Sequence, residues 1–137
     1  MNRTPYVRAV ESGNGRYVNE VTMGSHRLIS DEPERLGGDN LGPNPFDLVG
    51  AALAACTSMT IRMYAERKGW EIQNLTVLVD HQRDRGHDTF TRFISFDGDL
   101  DEEARERLID ISHRCPVHRI MEGSTTILTE TGTPTAS

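Results

Sequence analysis

The stretch Asn44-Pro45-Phe46-Asp47-Leu48-Val49-Gly50-Ala51-Ala52-Leu53-Ala54-Ala55-Cys56 decides the fold. Asn44 is a strong helix N-cap, and Pro45 suits the first helical position. Asp47 stands three residues after the cap, where an acidic side chain can reach back to the cap residue's N–H. The helix is predicted to run to about Lys68 and to stop at Gly69. From Leu48 to Cys56 it is apolar on every side, which predicts a buried helix. Gly50, Ala51, Ala52, Ala54 and Ala55 keep its girth small, so another backbone can approach closely. Beyond Cys56, Met59 and Met63 are expected to continue the inner face, with Arg62, Glu66 and Arg67 outside.

Upstream of this helix, Tyr6–Val10, Arg16–Met23 and His26–Ser30 read as three short strands. The turn signals Glu11-Ser12-Gly13-Asn14-Gly15 and Gly24-Ser25 join them into an antiparallel meander. His26, Arg27, Asp31 and Glu32 read as a solvated strand terminus. Residues 34–45 are rich in Gly, Pro and Asn and form a loop. This loop is no phosphate cradle, because it lacks a Gly-Lys-Ser/Thr end and Pro43 and Pro45 remove two N–H donors.

Downstream, Glu71–His81 and Phe90–Phe96 alternate as strands, with a polar turn at Gln82–Asp88. Asp101–Ile111 reads as a second helix, acidic in its first turn, with Leu108 and Ile111 on one face. Cys115-Pro116 interrupts it and starts a new turn. Ser124–Glu130 reads as a last strand, and Thr131–Ser137 as a frayed tail. The order β-β-β-α-β-β-α-β belongs to the α+β class. At 137 residues, positions 1–137 are expected to form a single domain.

Composition narrows the function. A net charge of −6 and a pI near 5.3, with no basic run, argue against nucleic acid or an anionic membrane surface as partner. No run of 18 apolar residues occurs, so no membrane span is expected. The first residues lack the apolar core of a signal peptide, which makes a cytoplasmic location the expectation. Two cysteines, Cys56 and Cys115, with 58 residues between them, are too few for a secreted disulfide framework. The 14 Arg against the single Lys68 read as genomic bias.

The cysteines are the chemical candidates. Cys56 sits mid-helix among apolar residues, where a free Cys behaves as a small buried hydrophobe. Cys115 precedes Pro116 at the start of a helical turn, whose N–H groups favour thiolate. His113, Arg114, His118 and Arg119 surround it in sequence, so a reactive and a structural Cys115 both remain open. His113-x-Cys115-x-x-His118 with Cys56 offers four N/S metal ligands, but the close Cys pair typical of structural zinc is missing, and no metal is expected. Asp47 lies nine residues before Cys56, roughly 13.5 Å of rise and half a turn away, so it cannot touch that cysteine on its own helix. To serve it, Asp47 must come from a second copy, and the small-residue helix suits two copies antiparallel across a twofold axis.

These residues carry a resemblance. Gly42-Pro43-Asn44-Pro45-Phe46-Asp47-Leu48, Ala51-Ala52-Leu53-Ala54-Ala55-Cys56-Thr57-Ser58-Met59-Thr60 and Met63-Tyr64-Ala65 resemble the OsmC/Ohr family, the osmotically inducible and organic hydroperoxide resistance proteins. Arg114-Cys115-Pro116-Val117-His118-Arg119 resembles that family's second cysteine motif. Asp31-Glu32-Pro33 with Gly37-Gly38 is more similar to the broader OsmC-like branch than to the dedicated hydroperoxide reductases. The likeness spans most of residues 24–130.

The resemblance implies an intertwined homodimer with an OsmC-like fold, antiparallel β-sheets wrapped around a long central helix. It implies a thiol peroxidase acting on organic hydroperoxides, with Cys56 as peroxidatic and Cys115 as resolving cysteine, no cofactor and no metal. It also implies a carboxylate and an arginine at the site. Asp47 stands where the family usually has Glu, and Phe46 occupies the place that Glu takes in the hydroperoxide reductases. Arg16 and Arg27 are both candidates for the arginine. Thiolate attack on the peroxide gives a sulfenic acid on Cys56, Cys115 closes a disulfide, and an external dithiol resets it. The arginine favours the thiolate, and Asp47 would hold that arginine by a bidentate contact. Phe46, Met59 and His118 are the expected substrate-pocket residues. The alternative is a dimer that binds a small apolar ligand or senses redox state, with little turnover.

Overall fold

The long helix, α1, runs Pro45–Lys68 in a computed structural model that describes residues 6–123 and 125–134. Its start is the expected reciprocal cap. Asn44 Oδ1 accepts the Asp47 N–H at 2.8 Å, and an Asp47 carboxylate oxygen accepts the Asn44 N–H at 3.0 Å. Gly69, at φ 70°, ends it in the left-handed conformation that a Cβ disfavours.

Around α1 the order is β1 (Val7–Glu11), β2 (Asn19–Met23), β3 (His26–Ser30), a 3-10 turn at Glu34–Leu36, then α1. There follow β4 (Gln73–Asp84), β5 (His87–Asp97), α2 (Glu102–Ser112) and α3 (Pro116–Glu122). Sheet β1-β2-β3 is an antiparallel meander, with Val7 opposite Met23 and Asn19 opposite Ser30. β4 and β5 make the second, two-stranded sheet. The fold is α+β with two antiparallel sheets and one long helix.

The chain clusters into two compact units. The first comprises Met1–Ala54 and Leu78–Phe93. In it, loop 31–43 is held by Asp31, only 2% exposed, whose carboxylate accepts the N–H groups of Glu32 (2.8 Å), Asp39 (3.0 Å) and Leu41 (3.2 Å). Ser30 Oγ donates to the Pro43 carbonyl at 2.8 Å. Gly42 admits no side chain, since a Cβ would collide with the Ile29 carbonyl. The second unit comprises Ala55–Val77 and Ile94–Ser137 and holds the main core: Ile61, Tyr64, Ala65, Ile72, Leu108 and Ile111. Asp101 caps α2 by accepting the Ala104 N–H at 2.8 Å.

Several expectations need correction. Asp31 is no solvated terminus, because three backbone donors replace the water it loses. Gln82–Asp88 is strand at both ends; the turn is Arg85-Gly86 alone, both at positive φ, as a two-residue hairpin requires. The second strand starts at Asn19, not Arg16. Residues 125–130 form no strand, since no partner strand pairs with them, and Ile127 and Leu128 are 85% and 86% exposed; Ser124 lies outside the described residues.

α1 does not bury its whole girth within the chain. Phe46, Val49, Met59 and Met63 are exposed, and the inner face is Leu53, Thr57, Ile61, Tyr64 and Ala65. Arg62 turns partly inward, donating to the Ile72 carbonyl at 3.1 Å. By length and composition α1 is also apolar enough to cross a membrane, with a mean hydropathy of 1.3 over its best window, although only 28% of that window is buried. Alanines and methionines raise the average without a continuous strongly apolar run, which is why the sequence reading did not register it.

Candidate functional site

Two segments whose cysteines have 58 residues between them meet in the second unit. Cys56 projects from the middle of α1, while Cys115 occupies the N-cap of α3 with Pro116 at the first helical position. The corner between α2 and α3 fixes Cys115. Its N–H donates to the Ser112 carbonyl at 3.3 Å, and its carbonyl accepts the Arg119 N–H at 3.1 Å. The two thiols are hydrogen-bonded to each other. Cys56 is half-buried and Cys115 is 0% exposed. Thr57 and Ser112 are equally buried, and the Ser112 hydroxyl donates to the Ile109 carbonyl at 2.6 Å.

The two sulfurs differ electrostatically. Burial pushes the Cys56 thiol up, and the Cys115 sulfur beside it adds to that. The Val117 N–H and the Thr60 hydroxyl act the other way without overcoming it. Burial also acts against the Cys115 thiolate, but the Cys56 S–H, the N–H groups of His118 and Val117, and the Thr57 hydroxyl outweigh it, and its pKa falls below the ordinary thiol value. No side-chain hydrogen bond closes the cap itself, so those N–H groups act on the sulfur chiefly as oriented dipoles.

Beside Thr60 a cavity of about 720 Å³ opens between α1 and α2, with Met63 and Ile111 as apolar walls and Arg67 and Arg114 as cations. Met59 is 59% exposed on α1 and does not line it. His118 is half-buried on α3, with Nε2 on Glu122 at 2.9 Å and its ring 5.3 Å from that of His113. Among the described residues no three His, Cys, Asp or Glu side chains converge to hold a metal ion.

The other sequence candidates lie in the first unit. The Asp47 carboxylate is engaged in the α1 cap. Arg27 lies on β3, largely exposed, and pairs with Glu20 at 2.8 Å. The Arg16 guanidinium stands 5.0 Å from the Tyr17 ring and lines a cavity of about 420 Å³ with Asp31, Pro45 and Leu48. Phe46 stacks on His81 at 4.6 Å, and His81 stacks on Phe90 at 4.5 Å. His81 Nε2 meets Asp88 Oδ1 at 2.7 Å, and this bond, more than Arg83 nearby, holds the Asp88 carboxyl below its ordinary value. That ring stack escaped the sequence reading. Its one signal was strand alternation, which sets His81 and Phe90 among the half-buried positions of β4 and β5.

Comparison with known proteins gives the fold and the family. No curated protein matches the chain. Among solved structures, the OsmC-like protein of Mycoplasma pneumoniae superposes with a TM-score of 0.75 at 21% identity, covering 90% of each chain. An organic hydroperoxide resistance protein OsmC of Legionella pneumophila gives 0.67 at 21% identity, over 90% of this chain and 92% of that one. An organic hydroperoxide resistance protein of Elizabethkingia anophelis, with crystallant-derived thiocyanate bound, gives 0.65 at 23% identity, over 90% and 92%. At these identities the structures speak for the fold. The family model for OsmC-like protein matches residues 37–130, more than half of the chain and inclusive of both cysteines, and the protein belongs to that family.

Proposed function

We propose that this protein is a cysteine-based thiol peroxidase that reduces organic hydroperoxides. The observation that carries the proposal is the hydrogen-bonded thiol pair, with Cys56 reachable from outside and Cys115 sealed. The names of the Legionella and Elizabethkingia relatives support it. The Cys56 sulfur attacks the outer peroxide oxygen, the O–O bond breaks, and an alcohol leaves. Two electrons pass from sulfur to peroxide, leaving a sulfenic acid on Cys56. Cys115 then attacks that sulfur, expels water and closes a disulfide. An external dithiol returns the two electrons by exchange. No step calls for a metal or an organic cofactor.

The working unit in this proposal is a homodimer. The exposed apolar residues of α1 and the uncovered Ile127 and Leu128 support a surface that a second copy covers. Asp47 with Arg16 or Arg27 then completes the site from the partner, Asp47 first releasing its bond to the Asn44 N–H. Phe46, Met59 and His118 line the substrate pocket in this proposal.

One equivalent of cumene hydroperoxide added to reduced protein should remove about 2 Da by intact mass, the signature of a disulfide. Cys56→Ser should abolish turnover, and Cys115→Ser should trap a sulfenic acid on Cys56. Full peroxide consumption by the double Ser variant would overturn the proposal. The second reading is a dimer that binds a small apolar ligand or senses redox state. It is favoured by the engagement of Asp47 in the cap and of Arg27 with Glu20. Unchanged mass after peroxide treatment would select it.

A further inference from the structure

We propose that the cavity between α1 and α2 binds an amphipathic monocarboxylate, its carboxylate held by Arg67 and Arg114 and its apolar tail against Met63 and Ile111, beside the Cys56 thiol. This goes beyond the peroxidase proposal and does not rest on it, since the binding calls for no peroxide. At about 720 Å³ the cavity has the size of a small-molecule pocket. Its residues all belong to the second unit.

Charge selects the head of the ligand. The chain as a whole carries −6, yet this cavity sets two guanidinium groups against the single carboxylate of Glu66. Among the described residues neither Arg67 nor Arg114 has an ion-pair partner. Arg67 stands 5.5 Å from the Tyr64 ring, a contact that neutralises no charge. Guanidinium groups beside an apolar wall are matched by a planar acceptor that takes two N–H bonds, which a carboxylate is. The other large cavity of this unit opposes an anion, because it sets five carboxylates, Asp99 and Glu103 among them, against Lys68 and Arg107.

The walls select the tail. Thr60, Met63, Tyr64 and Arg67 recur at spacings of three and four along α1, so they share one stripe of the helix. Ile111 faces that stripe from α2. The Tyr64 hydroxyl accepts Arg107 Nε at 3.0 Å, which leaves its ring as apolar wall. Cys56 stands one turn before Thr60, and the Thr60 hydroxyl meets its thiol. A tail seated on Met63 and Ile111 over Thr60 therefore covers one approach to Cys56.

Calorimetric titration of reduced protein with octanoate tests the assignment, with acetate, 1-octanol and octylamine as controls. Octanoate should bind, whereas acetate lacks the tail, octanol the charge, and octylamine carries the wrong sign. From hexanoate to decanoate the affinity should rise by up to about fourfold per CH2 buried. Arg67→Gln and Arg114→Gln should each weaken octanoate about tenfold, the size of one charge-assisted hydrogen bond. Glu66→Gln should tighten it, since a repelling charge is lost. All three side chains are exposed, so these substitutions should leave the fold intact. Saturating octanoate should also slow alkylation of Cys56 by iodoacetamide, a neutral reagent, followed by intact mass. It should not do so in the Arg67→Gln/Arg114→Gln double variant. Failure of octanoate to bind, equal binding of octanol or octylamine, or full octanoate affinity in the double variant would each overturn the site. An alkylation rate untouched by saturating octanoate would overturn the placement of the tail beside Cys56. A protein that binds octanoate in this way but turns over no peroxide would sustain the site while sinking the peroxidase proposal.

Discussion

Asp31 shows how much one side chain can organise. Burial alone would raise its pKa, but the N–H groups of Leu41, Glu32 and Asp39 outweigh that and hold it below the ordinary carboxylate value. A lowered folded-state pKa means stability that is present above the unfolded value and lost as pH falls through the folded one. Asp31→Asn should therefore lower the melting temperature at neutral pH. The deficit should shrink on acidification below the ordinary carboxylate range, as the wild-type carboxylate is protonated; thermal melts across that range would check it. Sequence did not reveal this residue. Nothing in Ser30-Asp31-Glu32 tells that the chain curls back to present N–H groups from positions 39 and 41. The cysteines were more legible, since two motifs of unusual composition marked both.

At the scale of elements, α1 was legible at both ends. Asn44, Pro45, Asp47 and Gly69 act on their own turn, so local chemistry fixes the limits Pro45–Lys68. The buried face was misjudged for the complementary reason. Along a helix apolar all round, the packing partner decides which stripe is covered, and here it is Leu53, Thr57, Ile61, Tyr64 and Ala65 rather than the methionines. Residues 125–130 fail as a strand for the same reason, since β-forming composition needs a partner edge. In α2 the expected face was correct, with Leu108 fully buried and Ile111 nearly so. Leu108→Ala should cost about 2–5 kcal/mol in urea unfolding, as a cavity in the centre of the core. Met63→Ala, on the exposed side of α1, should cost the folded chain less than about 0.5 kcal/mol.

For the molecule as a whole, α+β class and family membership were legible from element order and the two cysteine motifs. The uncovered apolar surface appeared only in the structure. If a second copy covers it, sedimentation equilibrium should give twice 15.3 kDa. Val49→Glu should shift the protein toward a single chain and depress peroxide turnover with it. A wild type that sediments at 15.3 kDa across micromolar concentrations would remove the basis for a shared site.

One further consequence follows from the end of α1. Lys68, the only lysine in the sequence, is exposed in the last turn, with its ammonium 5.6 Å from the Tyr64 ring. Apart from a chain's α-amino group, amine-directed chemistry has a single address here. Reagents directed at a lysine side chain would fasten at the same point of every chain, and chains tethered there would share one orientation.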